Sequence, residues 1–175
     1  MSSPIALHLP GDPLPCPRAR HAVRGRHART YMPGEYTAAK EALAAAMVAQ
    51  LEGTRPAWLL NGARLSLVAV FPRCQSRPRA VLPAVWKAGG RCRRLSKPDA
   101  DNLWKAYADA LTLALTRLGM PWDDALLEIG PTDRYYAAVG EAAGVELLLC
   151  PLTAAGELRA ALLMDNPMDN SGGAE

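Results

Sequence analysis

Residues 97–111 read Lys97-Pro98-Asp99-Ala100-Asp101-Asn102-Leu103-Trp104-Lys105-Ala106-Tyr107-Ala108-Asp109-Ala110-Leu111. Proline disfavours helix in the residue before it, and acids suit a first helical turn, so a helix is expected to start between Asp99 and Asp101. It should run to about Leu118 and stop at Gly119. At about 100° per residue, Asp101, Lys105, Asp109, Thr112 and Thr116 fall within an arc of about 80°. Leu103, Ala106, Tyr107, Ala110, Leu111, Ala114 and Leu118 occupy the opposite side, so one face is polar with a carboxylate at its mouth. A carboxylate at a helix N-terminus gains ~0.3–1 kcal/mol from the helix dipole, which accounts for one acid without any function. It does not account for the second pair, Asp123-Asp124, which follows Gly119-Met120-Pro121-Trp122. Two readings stand here. The pair is a solvated turn, or the turn folds back to the helix start, where converging carboxylates repel unless a cation intervenes.

Working outward, Ile5 to Leu9 alternates as a short strand ended by Pro10-Gly11. Residues 35–52, rich in alanine and bounded by Gly34 and Gly53, read as a helix. Ala63 to Phe71 alternates Leu65, Leu67, Ala69 and Phe71 against Arg64, Ser66, Val68 and Val70, which predicts a strand with at least one buried face, stopped by Pro72. The connections between these elements are basic. Residues 12–33 carry Arg18, Arg20, Arg24, Arg26 and Arg29 without apolar periodicity and are expected as a loop able to lie along phosphates. Residues 73–98 carry Arg91, Arg93, Arg94 and Lys97 among other cations, with Trp86, and read as a long connection without clear secondary structure. Trp86 either stacks on a base or is tucked onto the core.

The charge is divided unevenly along the chain. Before Asp99, 16 Lys/Arg face four acids, a net +12; from Asp99 onward four Lys/Arg face 13 acids, a net −9, and together these give the +3 of the 175-residue chain. A basic segment beside an acidic one suits a protein that holds a polyanion and assembles a metal site, although a solvated imbalance has the same composition. Half of the residues are hydrophobic, enough for one domain with a core. No stretch approaches the ~18 apolar residues of a membrane span and the amino terminus lacks a secretory pattern, so a cytoplasmic protein with no membrane partner is expected. Cys16, Cys74, Cys92 and Cys150 lack metal-ligand spacing and are expected as free thiols.

The run Lys97-Pro98-Asp99-Ala100-Asp101-Asn102-Leu103-Trp104-Lys105, then Asp109-Ala110-Leu111, Gly119 and Asp123-Asp124, resembles the signature of the RusA family of crossover-junction endodeoxyribonucleases. The resemblance also takes in Pro10-Gly11-Asp12-Pro13-Leu14-Pro15, Thr30-Tyr31, Tyr36 and a terminal strand, Gly144 to Leu149, and covers roughly residues 4–150. The spacing from Asp109 to Asp123-Asp124 is longer than in compact members, and the 73–98 connection is expanded. What the resemblance implies is a homodimeric α+β protein that binds four-way DNA junctions and makes paired incisions with Mg²⁺ or Mn²⁺. It carries the catalytic, metal-holding acids over to Asp99, Asp101 and Asp124, and an essential lysine to Lys105. Asp123 and Asp109 are assigned to support, Asp109 by an i to i+4 contact that orients Lys105.

The expected architecture is a mixed sheet of about four strands packed with two main helices, in a domain spanning 1–150. Residues 151–175 are expected to hold a short helix, Ala154 to Met164, and a disordered tail. The expected function is a magnesium-dependent, structure-selective junction endonuclease of recombination and repair, with the basic residues named above holding DNA. The alternatives are a DNA-binding module that does not cut and a metal-dependent phosphoesterase acting on another substrate.

Overall fold

The computed structural model describes residues 3–24, 27–54, 57–120, 122 and 124–152. The chain runs β1 (Ile5–Pro10), β2 (Arg20–Arg24), β3 (His27–Tyr31), α1 (Gly34–Leu51), β4 (Ala63–Phe71), α2 (Pro83–Lys87), β5 (Cys92–Arg93), α3 (Ala100–Arg117), β6 (Leu127–Tyr136) and β7 (Gly144–Pro151). Short 3-10 turns at Ala57–Asn61 and Asp124–Leu126 precede β4 and β6. Five strands form one mixed sheet in the order β1-β7-β4-β6-β5, and β2 and β3 form a separate hairpin. Strands β4 and β6 pair in parallel; β1 with β7, β7 with β4, and β5 with β6 are antiparallel.

Period-two alternation decides which face of the sheet is dry. Leu7 lies opposite Leu147, which lies opposite Leu67, and Leu9, Val145 and Ala69 form the next row. All six are buried. The two long helices pack on each other, α1 also on β1 and α3 also on β6, closing one core over these rows. On α3 the buried set is Leu103, Ala106, Tyr107, Ala108, Ala110, Leu111, Ala114 and Leu115, the apolar side expected from the helical spacing plus two neighbours. Asp101, Lys105 and Thr116 remain exposed. The helix ends as its sequence indicates, with Gly119 at φ 73° and Met120 N donating to Leu115 O at 3.0 Å.

Three segments differ from the sequence expectation. Residues 12–33 are not a continuous loop, because the β2–β3 hairpin occupies them; a hairpin outside the main sheet has no face dictated by the core, so its sequence lacks apolar alternation. The 73–98 connection contains α2 and β5, which at five and two residues are too short to show a period. Strand β6 was unanticipated, giving five main-sheet strands in place of about four. Gly130-Pro131 interrupts its pattern, and the structure shows why. Leu65 pairs with Ile129 but Leu67 pairs with Thr132, so β6 holds one extra residue there. A Cβ on Gly130 would lie 2.4 Å from Ser66 Oγ and 2.7 Å from Leu65 O, a space only glycine fits. At the same place Trp104 Nε1 donates to Leu65 O at 3.1 Å and ties α3 to the middle of the sheet. Trp86 takes the second of its two expected places, edge-on against Tyr136 with centroids 6.1 Å apart and Arg73 stacked at 3.7 Å. The four cysteines are free. No helix among the described residues is long and apolar enough to cross a membrane. The helix expected at Ala154 to Met164 and the tail after it lie outside the described residues.

Candidate active site

The acidic site starts where α3 starts. Asp99 is the N-cap residue, extended at φ −70° and ψ 153°, but its side chain makes no capping hydrogen bond. Capping is the commonest use of an aspartate at this place. Here the carboxylate is not spent on the helix. Asp101 lies in the first turn and Lys105 one turn further on, both exposed. Among the described residues Lys105 forms no ion pair with Asp101 or Asp109, although the i to i+4 spacing puts them in the same row. The expected contact between Asp109 and Lys105 is therefore absent. Asp109 is half-buried and acts on Tyr36, whose hydroxyl is held above its ordinary pKa by burial first, then by Cys16 and Asp109.

Asp124 opens the 3-10 turn before β6, and α3 packs on that turn. The side chain of Asp124, and all of Asp123, lie outside the described residues. Among the described residues no group of three or more His, Cys, Asp or Glu is placed to hold a metal ion. The donors described are the carboxylates of Asp99 and Asp101, and their chemistry fits a hard divalent cation, which prefers charged oxygen ligands.

The amino-terminal basic segment is fastened to the same end of α3. Leu14 N donates to Tyr107 Oη at 3.0 Å, and Cys16 N donates to Asn102 O at 2.9 Å. Burial pushes the Tyr107 hydroxyl up to about 12, partly offset by the Leu14 amide, so it stays a neutral acceptor. Arg18, two residues beyond Cys16, is exposed. Arg20, Arg24 and Arg29 follow on β2 and β3; their side chains, and Arg26 altogether, lie outside the described residues.

The second basic segment is largely engaged with the chain itself. Arg91 pairs with Glu141 at 2.5 Å and Glu146 at 3.4 Å, and the Glu141 contact holds that carboxyl below its ordinary range. Arg93 reaches Asp133 at 3.1 Å while remaining 59 % exposed. Arg94 stacks 3.9 Å above the Phe71 ring and donates from Nε and Nη2 to Lys97 O, at 3.1 and 2.6 Å. Lys97 is exposed.

A family model for endodeoxyribonuclease RusA matches residues 10–129. The chain belongs to the RusA endodeoxyribonuclease family. No curated protein matches it. The RusA match begins at the end of β1 and takes in both basic segments, the Asp99 to Asp109 stretch and Asp124, and stops near the start of β6. Beyond that RusA span lies a residue with no signal in the sequence, Arg134 on β6, which donates from Nη1 to Ser96 O at 3.1 Å and Pro98 O at 2.5 Å. A lone arginine on an unanticipated strand carries no local pattern that marks it.

Proposed function

We propose that this RusA-family chain is a divalent-metal-dependent, structure-selective endodeoxyribonuclease that resolves four-way DNA junctions by paired incisions, in recombination and repair. One observation carries the reading: the exposed carboxylates of Asp99 and Asp101, with exposed Lys105 one turn on and no capping bond from Asp99, lie at the helix end to which Cys16 fastens the segment bearing Arg18. That the segment of an exposed arginine and the helix-end acids share one part of the chain supports phosphate binding beside metal binding.

Asp99, Asp101 and Asp124 are the residues that would hold Mg²⁺ or Mn²⁺, with Asp123 in support. When bound, the cation supplies Lewis acidity to the phosphate and to the attacking water. Lys105, exposed on the same helix, adds a positive charge where negative charge develops on the phosphate. Arg18, Arg20, Arg24, Arg26, Arg29 and Lys97 bind the DNA backbone, with Arg93 at the margin. Two strands must be cut and each chain supplies one set of acids, so the active species is a two-fold dimer with one site per opposing strand.

An incision assay over junction, flap, duplex and single-stranded DNA, with Mg²⁺ and with chelator, tests the reading. Chelator-sensitive paired cuts confined to junctions are expected. Junction binding without cuts would make the protein a binding module, and preferential hydrolysis of small nucleotide esters would make it a different phosphoesterase. A non-exchanging hybrid dimer with one Asp101→Asn subunit should nick one strand only. Linear duplex products from that hybrid in one binding event would rule out the two-site mechanism.

A further inference from the structure

The segment leading into α3 has three consecutive carbonyls, and each is taken by a guanidinium. Ser96 O and Pro98 O accept from Arg134 Nη1, and Lys97 O accepts from Arg94. The two arginines are linked through the backbone, Arg94 N donating to Arg134 O at 2.8 Å. The Ser96 hydroxyl lies 3.2 Å from Tyr136 Oη, and Arg94 is held flat between Phe71 and the segment. Asp99 follows at once, and no side-chain capping bond of its own fixes it. Its place is therefore set by the backbone on either side, residues 96–98 before it and the helix after it, where Leu103 N donates to its carbonyl at 3.2 Å. Strand β6, whose Arg134 lies beyond the RusA match, sets the backbone of residues 96–98 together with Arg94.

We infer that Arg134, together with Arg94, is a positioning residue for the acidic site: the two guanidiniums clamp residues 96–98 and hold the Asp99 and Asp101 carboxylates in the geometry a divalent cation requires. The inference rests on the proposed nuclease reading. Charge-assisted hydrogen bonds to consecutive carbonyls restrain a segment in both direction and rotation, and Arg134 reaches two of them from one nitrogen. An uncharged side chain of similar length reaches only one and holds it less firmly. Groups that orient metal-holding side chains typically affect metal affinity or activity by ~10–100-fold when removed. A misplacement of about 1 Å costs a comparable factor in rate.

The test uses the full chain as a DNA-free protein and on junction DNA. Mn²⁺ binding is read from the electron paramagnetic resonance of free Mn²⁺, and cleavage is resolved into kcat and KM. Arg134→Gln should weaken Mn²⁺ binding about tenfold or more and lower kcat by ~10–100-fold, with KM for the junction within about twofold of wild type. Arg134→Lys, which keeps one charged donor, should fall between the two. Should Arg134→Gln lose its cooperative urea transition, Arg134→Lys and Arg94→Lys carry the same measurements. A folded Arg134→Gln protein with wild-type Mn²⁺ affinity and kcat overturns the clamp and leaves the nuclease reading intact. So does a defect confined to KM, which would make Arg134 a phosphate-binding residue. If wild type shows no Asp101-dependent Mn²⁺ binding and cuts no junction, the nuclease reading fails and the clamp fails with it.

Discussion

Along residues 73–98 most of the arginines turn onto the chain's own groups, whereas along 12–33 Arg20, Arg24 and Arg29 ride on a separate hairpin. In the later segment Arg73 donates to Trp86 O at 2.6 Å, Ala137 O at 3.0 Å and Gly90 O at 3.1 Å; Arg77 donates to Val81 O, Arg91 to Glu141, and Arg94 to Lys97 O. Segments with so little regular structure leave carbonyls without ladder partners, and a guanidinium with five donors supplies what the ladder does not. In the earlier segment, among the described residues, the strands carrying Arg20, Arg24 and Arg29 pair with each other, Arg18 is exposed, and backbone donors at Leu14 and Cys16 attach the segment to the body. Similar composition serves two ends. Loss of an arginine should damage stability in the first case and DNA affinity in the second.

The largest effect should fall on neither basic segment but on the acids proposed to hold the metal. Asp99→Asn, Asp101→Asn and Asp124→Asn should each lower junction cleavage by ~10³-fold, the equivalent of the several kcal/mol a cation contributes to such a reaction. Junction affinity, measured by gel shift in Ca²⁺, should hold or rise because negative charge is removed. Near-normal incision by one of these variants removes that residue from the site.

Next in size is the contrast between the basic segments. Arg73→Ala removes three hydrogen bonds to carbonyls and the stack on Trp86, and should lower stability by about 2–4 kcal/mol in urea denaturation. Its junction affinity should keep the wild-type salt slope. Neutralising Arg18, Arg20 and Arg29 together should do the reverse, with stability within about 0.5 kcal/mol of wild type. The log–log salt slope should then flatten by ~0.9 for each phosphate no longer neutralised. An unchanged slope would show that the hairpin points away from DNA.

The parts of the fold legible in the sequence are those with a period and a buried face. Strand β4 shows its alternation from Ala63 to Phe71, and α3 shows both its buried side and the exposure of Asp101 and Lys105. Strand β6 was hidden because Gly130-Pro131 reads as a breaker, whereas the interruption is the extra residue of a bulge packed on Ser66. For the proposed site, spacing puts Asp101 and Lys105 on one exposed helix face, while the roles given to Asp99, Asp101 and Lys105 come from the family resemblance. Nothing local distinguishes Arg94, whose guanidinium serves the chain's own backbone, from Arg18, which is exposed. Arg134 is further still from view, since its two acceptors lie 38 and 36 residues away in sequence. Hydrogen bonds across that separation leave no periodic trace.

The smallest effect concerns Glu141, which belongs to the structural side of the contrast. The Arg91 hydrogen bond lowers its pKa from an ordinary 4.5, with the Ala138 amide adding to the shift. A carboxyl whose folded pKa is depressed contributes stability that is fully present above the unfolded value and is lost as pH falls through the folded one. The contribution should therefore be intact at neutral pH and fade below about pH 4.5. A partly exposed pair of this kind is worth at most ~1 kcal/mol. Urea midpoints measured from pH 7 down to pH 3 should show Glu141→Gln less stable than wild type at the upper end and the two curves converging at the lower. Its junction affinity should match wild type, because Arg91, released from Glu141, still has Glu146 within 3.4 Å. A rise in affinity on this substitution would mean that Arg91 is a DNA-binding residue held in reserve, and would move it across the division between the two segments.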